Sequence, residues 1–188
     1  MEIMIKSTVD KLKQLEDAIP NLISPGIRQL HLLHGDRTRD LMLSPYYLGY
    51  VKGLITFWVT SYLWRPASLE DTPSITVVAQ RMFQRAFTDV VQSRFTKPFS
   101  VKGLATEALQ AVLLLDISED REYNLGLEEG RITGNAMSGM SDINDPRVIE
   151  AREKLRAENF NPDAAENADR LLAALLHRFL VQHWPMRR

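Results

Sequence analysis

The chain contains no cysteine in its 188 residues, which excludes disulfide staples, thiolate metal ligands and thiol nucleophiles together. An excess of charge of one sign is missing too. Lysine and arginine total 23 against 24 acids, so no broad electrostatic pull draws the protein toward nucleic acid or anionic lipid. No GxxxxGK[ST] loop, strand-linked GxGxxG, HExxH, EF-hand loop or GxSxG elbow occurs, which removes the common phosphate, zinc, calcium and serine-hydrolase signatures. Alternating strand patterns and Asn-Gly hairpins are absent as well. The chain does not open on a basic region, an apolar run and a small-residue cleavage site. Its start, MEIMIKSTVDKLKQLEDAI, spaces Ile5, Val9, Leu12, Leu15 and Ile19 as a helix does, and the cytoplasm is the expected compartment.

What remains is helical periodicity almost throughout, with 45% hydrophobic and 25% charged residues, the balance of a folded domain. The expected fold is all-α: a bundle of seven or eight helices forming one domain, 1–188. Thr72-Pro73 reads as a helix start, followed by Ala79, Met82, Phe83, Ala86 and Phe87 on one face and Gln80, Arg81, Gln84 and Arg85 on the other. A second helix is expected from Pro98 through Leu104, Ala108 and Val112. Ser118 is the expected N-cap of a third, and Asp145-Pro146 opens a short charged helix to about Ala157. From Asn161-Pro162 a last helix carries a wide stripe of Leu171, Leu172, Leu175, Leu176, Phe179 and Leu180. That width suits several neighbours or a homodimer through this C-terminal helix.

The stretch YNLGLEEGRITGNAMSGM places Gly126, Gly130 and Gly134 four residues apart inside a helical pattern. Each interior glycine costs about 0.8–1.0 kcal/mol relative to alanine, so something only a missing side chain permits must offset it. All three fall on the face of Tyr123 and Leu127, opposite Asn124, Glu128 and Arg131, and small residues four apart let a second helix approach closely. The echo YYLGYVKGLITF lies 77 residues upstream and aligns Tyr46, Gly49, Gly53 and Thr56 with Tyr123, Gly126, Gly130 and Thr133. Two readings follow: accident, or an internal repeat of 24–95 and 98–160. In the second, the two glycine helices cross about a pseudo-dyad, and Lys52 and Glu129, at equivalent positions, are expected to pair.

YYLGYVKGLITFWVTSYLW has the length of a membrane span, but Lys52 and three hydroxyl residues favour a helix surrounded by protein, and no membrane partner is expected. Nor is nucleic acid: Arg81 and Arg85 are not set in a helix-turn-helix or among interleaved aromatics. YLGYVKG, residues 47 to 53, resembles over seven residues the YLG-x-x-x-G stretch of the distal helix of haem oxygenases. That family implies a proximal histidine in an N-terminal helix, and the surroundings of His31 and His34 do not match its pattern.

HLLHGDRTRD is the densest set of metal-ligating types. His31 and His34 share a helical face, and Asp36 and Asp40 could add oxygen ligands; the competing reading is a helix end stopped at Gly35. The first functional expectation is a helical binding or regulatory protein working through a protein partner or a small molecule. The second is an enzyme or cofactor protein with a pocket beside the glycine helices, lined by Tyr46, Tyr50, Lys52, Tyr123, Gly126, Glu129, Gly130, Arg131 and Gly134. No motif identifies a cofactor.

Overall fold

The computed structural model of the chain describes residues 16–17, 37–63, 75–92, 103–137, 144–162, 164, 167, 170–171 and 174–175. The elements among them are α1 (Thr38–Met42), α2 (Pro45–Leu63), α3 (Ile75–Gln92), α4 (Leu104–Leu115), α5 (Arg121–Met137) and α6 (Pro146–Ala157), with no strand among the described residues. The all-α expectation holds. Six helices are described rather than seven or eight, and most of the expected N-terminal helix and the end of the C-terminal one lie outside the described residues.

Local chemistry explains the boundaries. Ser44 caps α2, its hydroxyl accepting from the Tyr47 amide at 3.3 Å, and Pro45 follows at the first helical position, where its missing N–H is harmless. Asp145 caps α6 by accepting from the Arg147 amide at 2.9 Å, again with proline next. Two sequence expectations need correction. The helix expected from Pro98 starts at Leu104, because Gly103 takes a left-handed conformation (φ 84°) that a continuous helix does not allow. Asp120, not Ser118, caps α5: Asp120 accepts from the Tyr123 amide at 2.8 Å, while the Ser118 hydroxyl turns back to the Leu115 carbonyl to close α4. The Thr72-Pro73 start lies outside the described residues.

Residues 46 to 51 of α2 are all buried. Six consecutive residues exceed a full turn, so this part of the helix is covered on every side. Its main neighbour is α5, and the glycines set their separation. A Cβ placed on Gly49 would lie 2.2 Å from the Tyr123 carbonyl oxygen, and one on Gly126 would lie 2.1 Å from that of Tyr46; Gly53 faces the Leu127 oxygen at 2.2 Å and Gly130 that of Tyr50 at 2.1 Å. Each contact has its counterpart 77 residues away with the helices exchanged. At Gly134 of α5 the facing atom is instead a side chain, the ring of Phe57 at 2.6 Å. Backbones this close gain dispersion contacts along both helices, which offsets the propensity cost of the glycines.

α1, α3 and α4 lie against α2, and α6 reaches α5. α3 buries Met82, Phe83, Ala86 and Phe87, with Gln80, Arg81 and Gln84 exposed. Phe87 meets the Tyr47 ring edge-on at 6.2 Å. α4 buries Leu104, Ala108 and Val112. In α6, Arg152 is buried with Val148, Ala151 and Leu155 and donates to the Ala136 carbonyl of α5 at 3.2 Å. Leu171 and Leu175 of the C-terminal stripe are buried within the chain itself. No helix among the described residues is long and apolar enough to cross a membrane.

Candidate functional site

Two polar clusters flank the contact between α2 and α5. In the first, Glu129 of α5 is 1% exposed, and a carboxylate so placed needs partners. The Tyr46 hydroxyl of α2 donates to its Oε2, and Arg147, at the start of α6, donates through Nη1 to its Oε1. Arg147 is shared: its Nε and Nη2 also reach Asp145 at 3.0 and 2.9 Å. One turn further along, the Tyr50 hydroxyl donates to Thr133 at 2.8 Å, and Thr133 donates to the Glu129 carbonyl at 3.0 Å. The arrangement ties α2, α5 and α6 together.

The guanidinium of Arg147 holds the Asp145 carboxyl below its ordinary value, with the backbone amides of the cap acting in the same direction. A depressed folded-state value contributes stability that is present above the unfolded value, about 3.9, and lost as pH falls through the folded one. Asp145→Asn keeps the cap but removes the charge. The stability difference between the native chain and this variant is therefore expected at pH 7 and should shrink steadily below about pH 4, as followed by urea denaturation at each pH.

The second cluster is more open. Lys52 of α2 donates to both oxygens of Asp116, which follows the last residue of α4, and the Tyr123 hydroxyl of α5 donates to Oδ1 of the same carboxylate. Lys52 also sits 5.8 Å from the centre of the Tyr123 ring. The pairing of Lys52 with Glu129 expected from the pseudo-dyad is not found: Lys52 pairs with Asp116, and Glu129 with Arg147. Crossing the helices carries the two positions to opposite flanks, where each meets a different neighbour.

Burial is the first cause that raises all four inner tyrosines above their ordinary value. For Tyr46 the neighbouring Glu129 adds to it, and for Tyr123 the neighbouring Asp116. These phenols stay protonated and do not act as bases. Tyr47 is fully buried, and its hydroxyl has no partner among the described residues.

Beside Lys52 and Asp116 lies a cavity of about 240 Å³, between α2, α3 and α4. Ile55, Phe83, Leu109 and Val112 make its walls, and Lys52 and Asp116 are its charged groups. The glycine contact offers no comparable space, because the places where side chains would stand at Gly126 and Gly130 are taken by α2 backbone. That closure also leaves no room at Gly49 and Gly53 for the flat macrocycle that the haem oxygenase resemblance implies.

Of the residues singled out from sequence, Tyr46 and Glu129 meet in the first cluster, Lys52 and Tyr123 in the second, and Tyr50 bonds Thr133 between them. Gly126, Gly130 and Gly134 lie in the helix contact. Arg131 joins neither cluster; it is exposed and lines an open cleft of about 480 Å³ with Phe57, Asn135 and Asn144. His31, His34 and Asp36 lie outside the described residues, and Asp40 is exposed on α1. Among the described residues no group of three or more His, Asp or Glu could hold a metal ion. Sequence reasoning missed Asp116, Arg147 and Phe83 as site residues. Asp116 had a usable signal, a lone acid directly after the apolar run AVLLL.

No family model, curated protein or solved structure matches the chain.

Proposed function

We propose that the protein is a helical binding module and that its receptor site for a small molecule is the cavity between α2, α3 and α4. The carrying observation is the cavity itself: apolar walls of Ile55, Phe83, Leu109 and Val112 with one polar corner at Lys52 and Asp116. Sites for small ligands have this composition, an apolar body with a few placed polar groups. Binding is favoured over catalysis because the two charged groups in the cavity already satisfy each other, and the nearest tyrosine is held protonated. None of the three is poised as a general base or nucleophile. The reciprocal glycine contacts support reading residues 24–95 and 98–160 as a duplicated unit that serves as the rigid frame for this site.

Filling the cavity tests the assignment. Ala79 lines it from α3, and Ala79→Leu should occupy much of the space. The expected outcome is a stability equal to or up to about 1 kcal/mol above that of the native chain, from added apolar burial, with loss of binding to single-ring fragments in a ligand-observed NMR screen. Fragments that bind the variant as well as the native chain would place the receptor site elsewhere.

A protein partner is a second reading, supported by Leu113, Leu114 and Ile117, which are 51, 66 and 81% exposed at the end of α4 beside the cavity. Light scattering of the whole chain tests its homodimer form.

A further inference from the structure

We propose that this cavity takes a compact, uncharged ligand bearing a hydrogen-bond acceptor at one end, of the class of single-ring or short-acyl carbonyl compounds. The assignment rests on the binding reading above and adds the chemistry of the ligand.

Size gives the first limit. The cavity measures about 240 Å³, whereas an apolar cavity of about 150 Å³ accepts benzene and drug-sized pockets begin at about 300 Å³. One ring with a small substituent fills it. The walls give the second. Ile55, Leu109 and Val112 supply hydrocarbon and Phe83 an aromatic ring, so the ligand body gains by leaving water.

Charge decides the polar end. The Lys52 ammonium has three N–H donors, and two point to the oxygens of Asp116. The third remains for a ligand, on a side chain that lines the cavity. Asp116 already accepts from Lys52 twice and from Tyr123 once, so the corner has a donor to give and little acceptor capacity to spare. The cation and the carboxylate sum to zero. A ligand carboxylate would bring an unbalanced negative charge against apolar walls, and an ammonium would compete with Lys52 for a carboxylate already served. Thr56 and Gln80, the other polar side chains that line the cavity, are uncharged and compensate neither. A carbonyl oxygen accepts the third N–H without adding charge.

Acetophenone, benzoate, benzylamine and toluene, titrated separately into the whole chain and followed by the methyl resonances of Ile55, Leu109 and Val112, test the class. Acetophenone is expected to bind at least about tenfold more tightly than the other three. Asp116→Asn keeps an acceptor for Tyr123 but removes the balancing charge, and should raise benzoate affinity about tenfold while acetophenone stays within about twofold. Lys52→Met keeps the apolar stem and should bring acetophenone down to the affinity of toluene, which covers the case in which the Asp116 variant fails to fold. Benzoate or benzylamine binding the native chain as well as acetophenone, or toluene matching it, would overturn the uncharged-acceptor class while leaving the binding site in place. No movement of these methyls by any of the four would overturn the binding reading together with the class.

Discussion

Gly126→Ala lowers the stability of the protein by about 3 kcal/mol, the upper end of the range for overpacking, although alanine is the better helix former. Intrinsic propensity alone predicts a gain of about 0.8–1.0 kcal/mol, so the two effects differ in sign as well as size. The new methyl carbon would stand 2.1 Å from the Tyr46 carbonyl oxygen, 2.8 Å from the Tyr50 nitrogen and 3.0 Å from the Tyr46 carbonyl carbon. All three atoms are backbone, so no rotamer relieves the clash; α2 and α5 must move apart and give up dispersion contacts along their crossing. Gly134→Ala is the internal control. There the obstructing atoms belong to the Phe57 side chain, which can turn away, and the loss should stay near 1 kcal/mol. Urea denaturation of both variants checks the order. A Gly126→Ala variant as stable as the native chain would mean the two helices are not in backbone contact.

Arg147→Met destabilises by a similar amount, about 3 kcal/mol, for a different reason. Removing one partner of a buried ion pair leaves the other as an uncompensated charge, at a cost of roughly 3–5 kcal/mol, and the lower value suits Arg147 because its side chain is 26% exposed. Glu129, at 1% exposed, cannot turn to water. The hydroxyl of Tyr46 still donates to it, but a neutral donor does not balance a carboxylate as a guanidinium does. Glu129→Gln in the same background removes the stranded charge, so the double variant should be more stable than Arg147→Met alone. A double-mutant cycle read by thermal or urea unfolding measures this coupling. Strict additivity of the two substitutions would show that the pair is not formed in solution.

Legibility in the sequence followed from how local each signal is. The all-α class, the buried faces of α3 and α4 and the Asp145-Pro146 start depend on spacing within one helix, and those spacings are visible in a single chain. Gly126 and Gly130 also announced themselves, since an interior glycine carries a cost that calls for a cause. The start of α4 did not, because a glycine at 103 can equally sit inside a helix pattern, and only its positive φ shows that it breaks one. The same holds for Ser118 and Asp120: both are good capping types two residues apart, and the turn that closes α4 uses the first. Pairings across the fold were least visible. Lys52 finds Asp116, and Glu129 finds Arg147, because α4 and α6 approach opposite flanks of the α2–α5 crossing. Nothing in either residue's immediate sequence encodes that approach. The cavity is hidden for the same reason: Ile55, Phe83 and Val112 each read as ordinary core positions, and the space between them arises only when three helices meet.

The site assignment is tested most directly by isotope-filtered NOE measurement on the labelled chain with saturating acetophenone. Cross-peaks from the ligand ring protons to the methyls of Ile55 and Val112 and to the ring of Phe83, with none to Leu127 at the glycine crossing, are the expected result. Cross-peaks to Leu127, or to the cleft beside Arg131, would contradict it by placing the ligand away from the α2–α3–α4 cavity.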